Sequence, residues 1–493
     1  MTARIAGRIG TIDRLGAVMA SPTLIRLGAE IAVEHRVGRR PVHPPYVMLQ
    51  FAALARLARS AVRVELDLSN TATWAYARAV TIDSIRNHAL DVAPPGMAAP
   101  TWEQWRWFRD RTLSTDDGLG ILGREFPPLA IELAKSIGQL LPSGPGSLTH
   151  PDASRTVYGD GTIVRPIYQP PEAVRVHEAD GSVTPRYPDP RTGRLLEHPS
   201  GRFDPDLAEH HGHLGPVLGH GYVAFHTRGS STYQRVVLGV DHIDAPGQEA
   251  ACSLRLLADV ARHARDGIQL VVYDGAFRGV HIDEVMRRHG YLVISKMPTS
   301  EGPDQALQAV RLGNGRMAKS YPLGPANHDT PTGPCSHVLA TINGRVVELD
   351  LDEGGDPVVV ATPRRGPIKR SRRSDGHFHF NLGYDVQCSA GDFTVWLSPH
   401  GTSGSSARPE NLRSIPDDDA DSLRLRGLRS DAESFHANLK RTLLVDRAMS
   451  LGWRRGLLDI YGFALLNNAI TESVAVRGGT SAGKLRSFGR GRR

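Results

Sequence analysis

Cysteine is scarce in this chain, with only Cys252, Cys335 and Cys388 among 493 residues. Three thiols so widely spaced cannot frame a disulfide-stapled fold, so a reducing compartment, the cytoplasm, is expected. Long apolar runs are also missing. No 18 apolar residues occur together, and the opening MTARIAGRIGTIDRLGAV breaks its apolar residues with Arg and Asp too often for a secretory leader. No membrane partner is therefore expected. Acidic residues are outnumbered, 52 against 59 Lys and Arg, leaving a net charge of +7 and a pI near 9.4. This balance favours a polyanionic partner without excluding a mildly basic enzyme. The length exceeds what one ordinary core holds, so two or three domains are expected.

Residues 1–146 read as helical. YVMLQFAALARLARSAV keeps apolar residues at three- and four-residue spacing with arginines between them. Thr101 and Gln104 fit a capping box after Pro100, and Trp102, Trp105 and Trp107 beyond it read as packing anchors. LPSGPGSLTHPDAS, residues 141–154, has the composition of a linker. After it the period changes. RTVYGDGTIVRPIY, GYVAFHT and QRVVLGVDHI are β-branched runs bounded by turn residues, three consecutive strands. A helix over about 247–264, the strand IQLVVYD ending at Asp274, a helix around 282–289 and the strand YLVISK follow. The fold class expected is α/β, a mixed sheet flanked by helices.

Two segments interrupt that order. Residues 166–218 read as an inserted loop, whose Glu209, His210, His211 and His213 read as solvated rather than metal-bound. Residues 299–420 read as a β-rich insertion. Helical pattern returns from Ser430 to about Ser473, and residues 476–493 form a basic, Gly-rich tail.

Asp160, within YGDGT, and Asp274, within VVYDGAFRG, each sit in or at the end of an apolar strand run, and each is followed by glycine. If the first strand neighbours the fourth, the two aspartates meet at one edge of the sheet. RGLRSDAESFHANLKRTLL adds a third element. At roughly 100° per residue, Arg429, Glu433, His436 and Lys440 fall within about 60° of one another, while Leu428, Ala432, Phe435 and Leu439 gather on a neighbouring apolar face. Taken alone, the stripe also fits a solvated face with surface ion pairs.

An Asp on a first strand, an Asp on a fourth, a long β-rich insertion and a Glu on the next helix together resemble the DDE transposases of bacterial insertion sequences. Many of those carry Tyr, two residues, Arg, three residues, Glu, six residues, Lys. Arg429, Glu433 and Lys440 match in register, whereas Arg426 stands where the tyrosine would be. The resemblance implies a ribonuclease-H-like catalytic domain over 155–298 and 421–475, a helical, DNA-binding domain over 1–146, and the insertion over 299–420. It implies Asp160, Asp274 and Glu433 as catalytic and metal-binding acids, and Arg429 and Lys440 as phosphate contacts. Magnesium, with manganese as substitute, would serve, since carboxylates are the hard oxygen ligands it prefers. Double-stranded DNA and a homo-oligomer assembled on it are the partners implied. The alternatives are a transposase-derived DNA-binding protein without catalysis and a phosphohydrolase on another α/β fold.

Three further features lie in the insertion. Cys335, His337, His377, His379 and Cys388 lack the CxxC or HxxxH spacing of a zinc site. Trp396, within FTVWLS, reads as core on an alternating strand. RRGPIKRSRR, with Arg364, Arg365, Lys369, Arg370, Arg372 and Arg373, reads as an exposed basic loop able to meet DNA.

Overall fold

Proline at the first helical turn and alanine-rich apolar runs start the chain as helices. The computed structural model describes residues 10–477 apart from 32–40, 170, 179, 205, 213–214, 230, 232, 298–306, 332, 402–406 and 449. The helices α1 (Thr11–Ala20), α2 (Pro22–Ala29), α3 (Pro45–Ala58), α4 (Ala61–Ser69), α5 (Thr71–Asn87), α6 (Trp102–Phe108) and α7 (Asp116–Ser136) come first. The capping box at Thr101 and Gln104 is formed in both directions. The apolar run from Tyr46 is not one helix, however. Arg59 adopts φ 59° and the Ser60 hydroxyl caps the next helix at the Arg63 amide, so the run breaks into α3 and α4. Of the three tryptophans, Trp105 is buried and stacks on Phe51, whereas Trp107 is exposed and anchors nothing.

Next come β1 (Thr156–Pro166), β2 (Val174–His177), β3 (Val183–Pro188), β4 (Leu195–Leu196), β5 (Ala208–Gly212), β6 (Gly215–Arg228) and β7 (Arg235–His242). They are followed by α8 (Glu249–Ala264), β8 (Leu270–Val272), α9 (Gly279–His289) and β9 (Leu292–Ile294). The main sheet runs β7, β6, β1, β8, β9: β6 is antiparallel to β1 and β7, and β8 is parallel to β1 and β9. The protein is thus mixed α/β, and its first strand does neighbour the fourth of the expected series. Residues 166–218 are not a loop. β2, β3 and β4 form a small antiparallel sheet, and β5 extends the main one beside β6, which buries His210.

The β-rich stretch holds β10 (Gln308–Arg311), β11 (Met317–Thr330), β12 (Gly333–Ile342), β13 (Arg345–Leu351) and β14 (Pro357–Ala361), which close into a barrel. β15 (Arg364–Arg372), β16 (Phe378–Val386) and β17 (Phe393–Leu397) make a separate three-stranded sheet. The basic run is therefore strand β15, not a loop; Arg364, Lys369, Arg370, Arg372 and Arg373 are exposed as expected, and several of its side chains also find partners within the protein. Arg364 pairs with Asp385, Arg365 with Asp419 and Asp421, and Arg370 donates to the Gly290 carbonyl. The Lys369 ammonium sits 3.7 Å from the Trp396 ring centre, and Trp396 is partly exposed rather than core.

The chain ends in α10 (Ala407–Asn411), α11 (Ala420–Gly427), α12 (Ser430–Arg441), β18 (Arg447–Ala448) and α13 (Trp453–Arg477). The basic tail 478–493 lies outside the described residues. No described helix is long and apolar enough to cross a membrane.

α13 connects the N-terminal helices to the sheet. Its buried Asn468 donates to the Val237 carbonyl and accepts from the Val237 amide, satisfying both backbone groups where β7 bulges against β6. About one turn further along α13, Glu472 accepts from Ser21 and Thr23 at the junction of α1 and α2. α7 packs on both β7 and α8. Helical segment and sheet thus share one continuous core. Deleting residues 1–146 should expose α13 and the outer face of β7, and a chain lacking them should aggregate or melt without a cooperative transition. Urea unfolding followed by fluorescence and circular dichroism checks this; a sharp two-state transition in the truncated chain would show that the helical segment is a detachable domain.

Candidate active site

Strand register brings the two aspartates together. Tyr158 on β1 pairs with Val272 on β8, so Asp160, inside β1 and paired with Ala224 of β6, lies level with Asp274, just past the carboxyl end of β8. That end, beyond the carboxyl termini of parallel strands, is where α/β sheets open a crevice. The Asp274 backbone is fixed by the Ser295 hydroxyl, which donates to its carbonyl, and its carboxylate accepts from the Ala276 amide at 2.8 Å. Glycines flank Asp160 because neighbours press on the backbone. A Cβ at Gly159 would strike Phe225 and Tyr273, and one at Gly161 would strike the Glu249 carboxyl group.

α12 closes over this end. Phe435 and Leu439 are buried in the core, as the helical pattern anticipates, which turns the charged stripe toward β1. Arg429, at the start of the helix, places Nη2 3.2 Å from Asp160 Oδ1 and 3.9 Å from Asp274 Oδ2. A single guanidinium thus bridges both aspartates. His436 Nε2 lies 3.7 Å from Asp160 Oδ2. Burial, together with the nearby Lys440 ammonium, pushes the His436 pKa down to about 3, so this contact is a neutral imidazole beside a carboxyl group and not an ion pair. Burial also pushes Asp160 up to about 6; Arg429 works against that rise and the Asp274 charge adds to it. Desolvation outweighs an arginine in contact, a balance typical of a carboxylate almost wholly removed from water.

Glu433 occupies the same stripe between Arg429 and His436, but its side chain is exposed. Among the described residues, the carboxylate oxygens of Asp160, Asp274 and Glu433 are not all within 4.8 Å of one another, the spacing at which three groups could share one ion. Arg429, expected as a phosphate contact, instead holds the aspartates. Lys440 is half-buried at the far end of the stripe, and its ammonium is pulled below the usual value by burial and by neighbouring Arg165.

A further acid belongs here that the sequence reading missed. Glu249, the first residue of α8, packs its carboxyl group on Gly161 and accepts from the Tyr273 hydroxyl at 3.0 Å; Tyr273 in turn shares a 2.6 Å hydrogen bond with Ser253. Burial raises its pKa to about 7, with the Asp274 and Asp160 charges pushing the same way. In sequence, an acid opening a helix signals only its favourable place at the positive end of the helix dipole. Nothing local marks Glu249 as part of a site. On the other side of α12, a cleft of 400 Å³ is lined by Arg14, Arg56, Arg59, Arg228, Arg235 and Arg441. Such a concentration of guanidinium groups suits phosphate oxygens.

Comparison of the chain with known protein families, with curated proteins and with solved structures finds no match in any of the three.

The two raised pKa values predict how stability depends on pH. Between about pH 4, where an unfolded carboxyl group loses its proton, and pH 6 to 7, native Asp160 and Glu249 keep theirs. The native state then binds more protons than the unfolded one, so their contribution is complete below about pH 4 and is lost as pH rises through 6 and 7. In buffer free of magnesium and manganese, melting temperature should fall from pH 5 to 8, and Glu249→Gln, which cannot ionise, should flatten the upper part of that fall. Parallel slopes for the two proteins would mean that Glu249 is ionised throughout.

Proposed function

We propose that this chain is a DNA transposase, a metal-dependent polynucleotidyl transferase that cleaves and rejoins phosphodiesters at the ends of an insertion sequence. The carrying observation is the bridge from Arg429, the residue that opens α12 after the β-rich stretch, to Asp160 within β1 and Asp274 just past the end of its parallel neighbour β8. The order β7, β6, β1, β8, β9, three antiparallel strands and then two parallel, accords with the ribonuclease-H-like catalytic domain that the resemblance implies.

The donor set fits a hard divalent cation. Asp160 and Asp274 offer carboxylate oxygens, and the Arg429 guanidinium between them stands where positive charge is needed to hold two acids together. Asp160, Asp274 and Glu433 would hold magnesium or manganese, which would supply an activated attacking oxygen and a stabilised leaving oxygen. The chain's own groups carry the rest of the reading. Arg429, relieved of the aspartates, turns to a nonreacting phosphate, and Lys440 on the same stripe takes another. Neutral His436 closes the inner wall and limits water around Asp160. Glu249, its carboxyl pushed up to about 7 by burial and by the neighbouring acids, carries less than a full third negative charge beside the pair below neutral pH. The arginine-lined cleft beyond α12 and the net positive charge support a duplex DNA partner, with pairing of two ends by a homo-oligomer and residence at the nucleoid following from that chemistry.

Alanine at Asp160, Asp274 or Glu433 should lower magnesium-dependent strand cleavage by roughly 100- to 1000-fold or more, because each removes charge stabilisation at the reacting phosphate. Binding to a duplex carrying the transposon end should change little. Glu249→Gln should keep most of the cleavage rate and shift its pH profile. Near-normal cleavage in Glu433→Ala alongside loss in Glu249→Gln would transfer the third metal-binding role to Glu249. Wild-type protein that binds duplex ends but never cleaves them would instead favour a transposase-derived binding protein.

A further inference from the structure

The β-rich stretch gathers four soft or borderline metal ligands that its sequence spacing conceals. His328 on β11 lies directly opposite Cys335 on β12, and His337 follows on the same face of β12 two residues later. Cys388 comes from the turn after β16, in the neighbouring sheet. One ligand atom from each of the four lies within 4.8 Å of the others, which among the described residues no other group of histidines, cysteines and acids achieves. His377 and His379, the other two candidates in this stretch, are not part of the group.

The spacings fit a tetrahedron. With Zn–S near 2.3 Å and Zn–N near 2.0 Å, tetrahedral angles place two sulfurs about 3.8 Å apart and a sulfur and nitrogen about 3.5 Å apart. The Cys335 and Cys388 sulfurs are 3.8 Å apart, and Cys335 Sγ is 3.5 Å from His337 Nε2. A disulfide would require sulfurs at about 2.05 Å. The surroundings orient the ligands as well. His337 Nδ1 is 2.6 Å from Glu348 Oε1 on β13, which fixes the tautomer whose lone pair is on Nε2 and makes the ring a better donor. The Ala390 amide donates to Cys388 Sγ at 3.5 Å, as suits a thiolate. His328 Nε2 is buried and has no hydrogen-bond partner among the described residues, while Phe393 stacks on its ring at 3.9 Å and shields the cluster from one side. A buried imidazole nitrogen without a partner, beside two thiols and a second imidazole, is placed as a metal ligand would be.

We infer that His328, Cys335, His337 and Cys388 bind one zinc ion in a closed, structural Cys2His2 site that fastens the barrel to the β15–β17 sheet. Two thiolates neutralise the divalent charge, and S2N2 tetrahedral geometry selects zinc over the hard cations suited to Asp160 and Asp274. All four positions are filled by protein, which leaves none for substrate. The site is independent of the proposed strand-transfer chemistry.

Metal analysis of the full chain, purified without chelator, tests this. One zinc per chain is expected; in Cys335→Ser/Cys388→Ser it should drop to nearly none, and in Asp160→Ala it should stay. Cobalt exchanged into the wild-type chain should give the visible absorption of a tetrahedral thiolate complex, a readout that needs no variant to fold. Folded wild-type protein that contains no zinc and takes up no cobalt would overturn the inference. So would a Cys335–Cys388 disulfide found by mass spectrometry under non-reducing conditions, zinc that persists in the double variant, or a bound iron–sulfur cluster.

Discussion

Two carboxylates held side by side, Asp160 buried and Asp274 partly exposed, repel each other, and the rest of this structure is arranged around that fact. Backbone register leaves no choice: β1 pairs with β8 at Tyr158 and Val272, so Asp160 and Asp274 emerge together. Glu249 adds a third acid from α8. Two like charges about 4 Å apart cost about 4 kcal/mol at an effective dielectric of 20, so a site holding three ionised acids with no compensation would not persist. Two responses are visible. One acid, Glu249, holds its proton up to about pH 7, and one guanidinium, Arg429, is delivered by α12 into contact with the other two.

That delivery explains why the distant end of the chain must return to the sheet. Arg429 can reach Asp160 only if α12 is seated, and the helix is seated by Phe435 and Leu439, both wholly buried. Arg235 on β7 completes the seat by donating to the Ser434 hydroxyl and lying over the Phe435 ring. Losing a buried aromatic of this kind costs about 3–5 kcal/mol. The counterion of the acidic pair therefore depends on apolar packing more than on the attraction between charges, and the same packing keeps His436 neutral.

What could be read from the sequence follows from how local the signal was. Asp160 and Asp274 stood out because β-branched runs mark strands and each acid interrupts one; the stripe on α12 stood out because helix geometry is fixed. Glu249 was invisible because its partners, Tyr273 and Gly161, are brought to it only by tertiary packing. The basic run from Arg364 looked like a solvent loop because charge dominated its composition, yet Asp419, Asp421, Asp385 and the Gly290 carbonyl satisfy it as a strand. The helix from Tyr46 looked unbroken because Ser60 competes as a cap only once Arg59 has turned left-handed. His328 escaped notice for a related reason: cross-strand pairing puts it beside Cys335, and no count of intervening residues reveals a cross-strand neighbour.

The β-rich stretch shares no sheet with the rest of the protein and is held to it by apolar packing together with polar contacts, which is the setting of the histidine and cysteine cluster. The β15–β17 sheet is anchored to the core: Arg365 reaches the Thr149 carbonyl, Arg370 the Gly290 carbonyl, and His400 links Asp283 on α9 to the Phe380 amide on β16. The barrel joins the core through buried Ala326, Leu339 and Val346 and through its β12–β13 turn, where the Gly344 carbonyl accepts from the Arg413 amide and Arg345 pairs with Asp418. The partly exposed Arg345–Asp418 pair contributes little to that hold, which rests on the packing. Cys388 is the point where the anchored sheet reaches the barrel strands carrying His328, Cys335 and His337. Phe393 of β17 already stacks on His328 there, and a metal would add a coordinate tie to that packing. Because this soft-ligand site shares no residue with the acids, the hard-ligand site could exchange its cation without disturbing it.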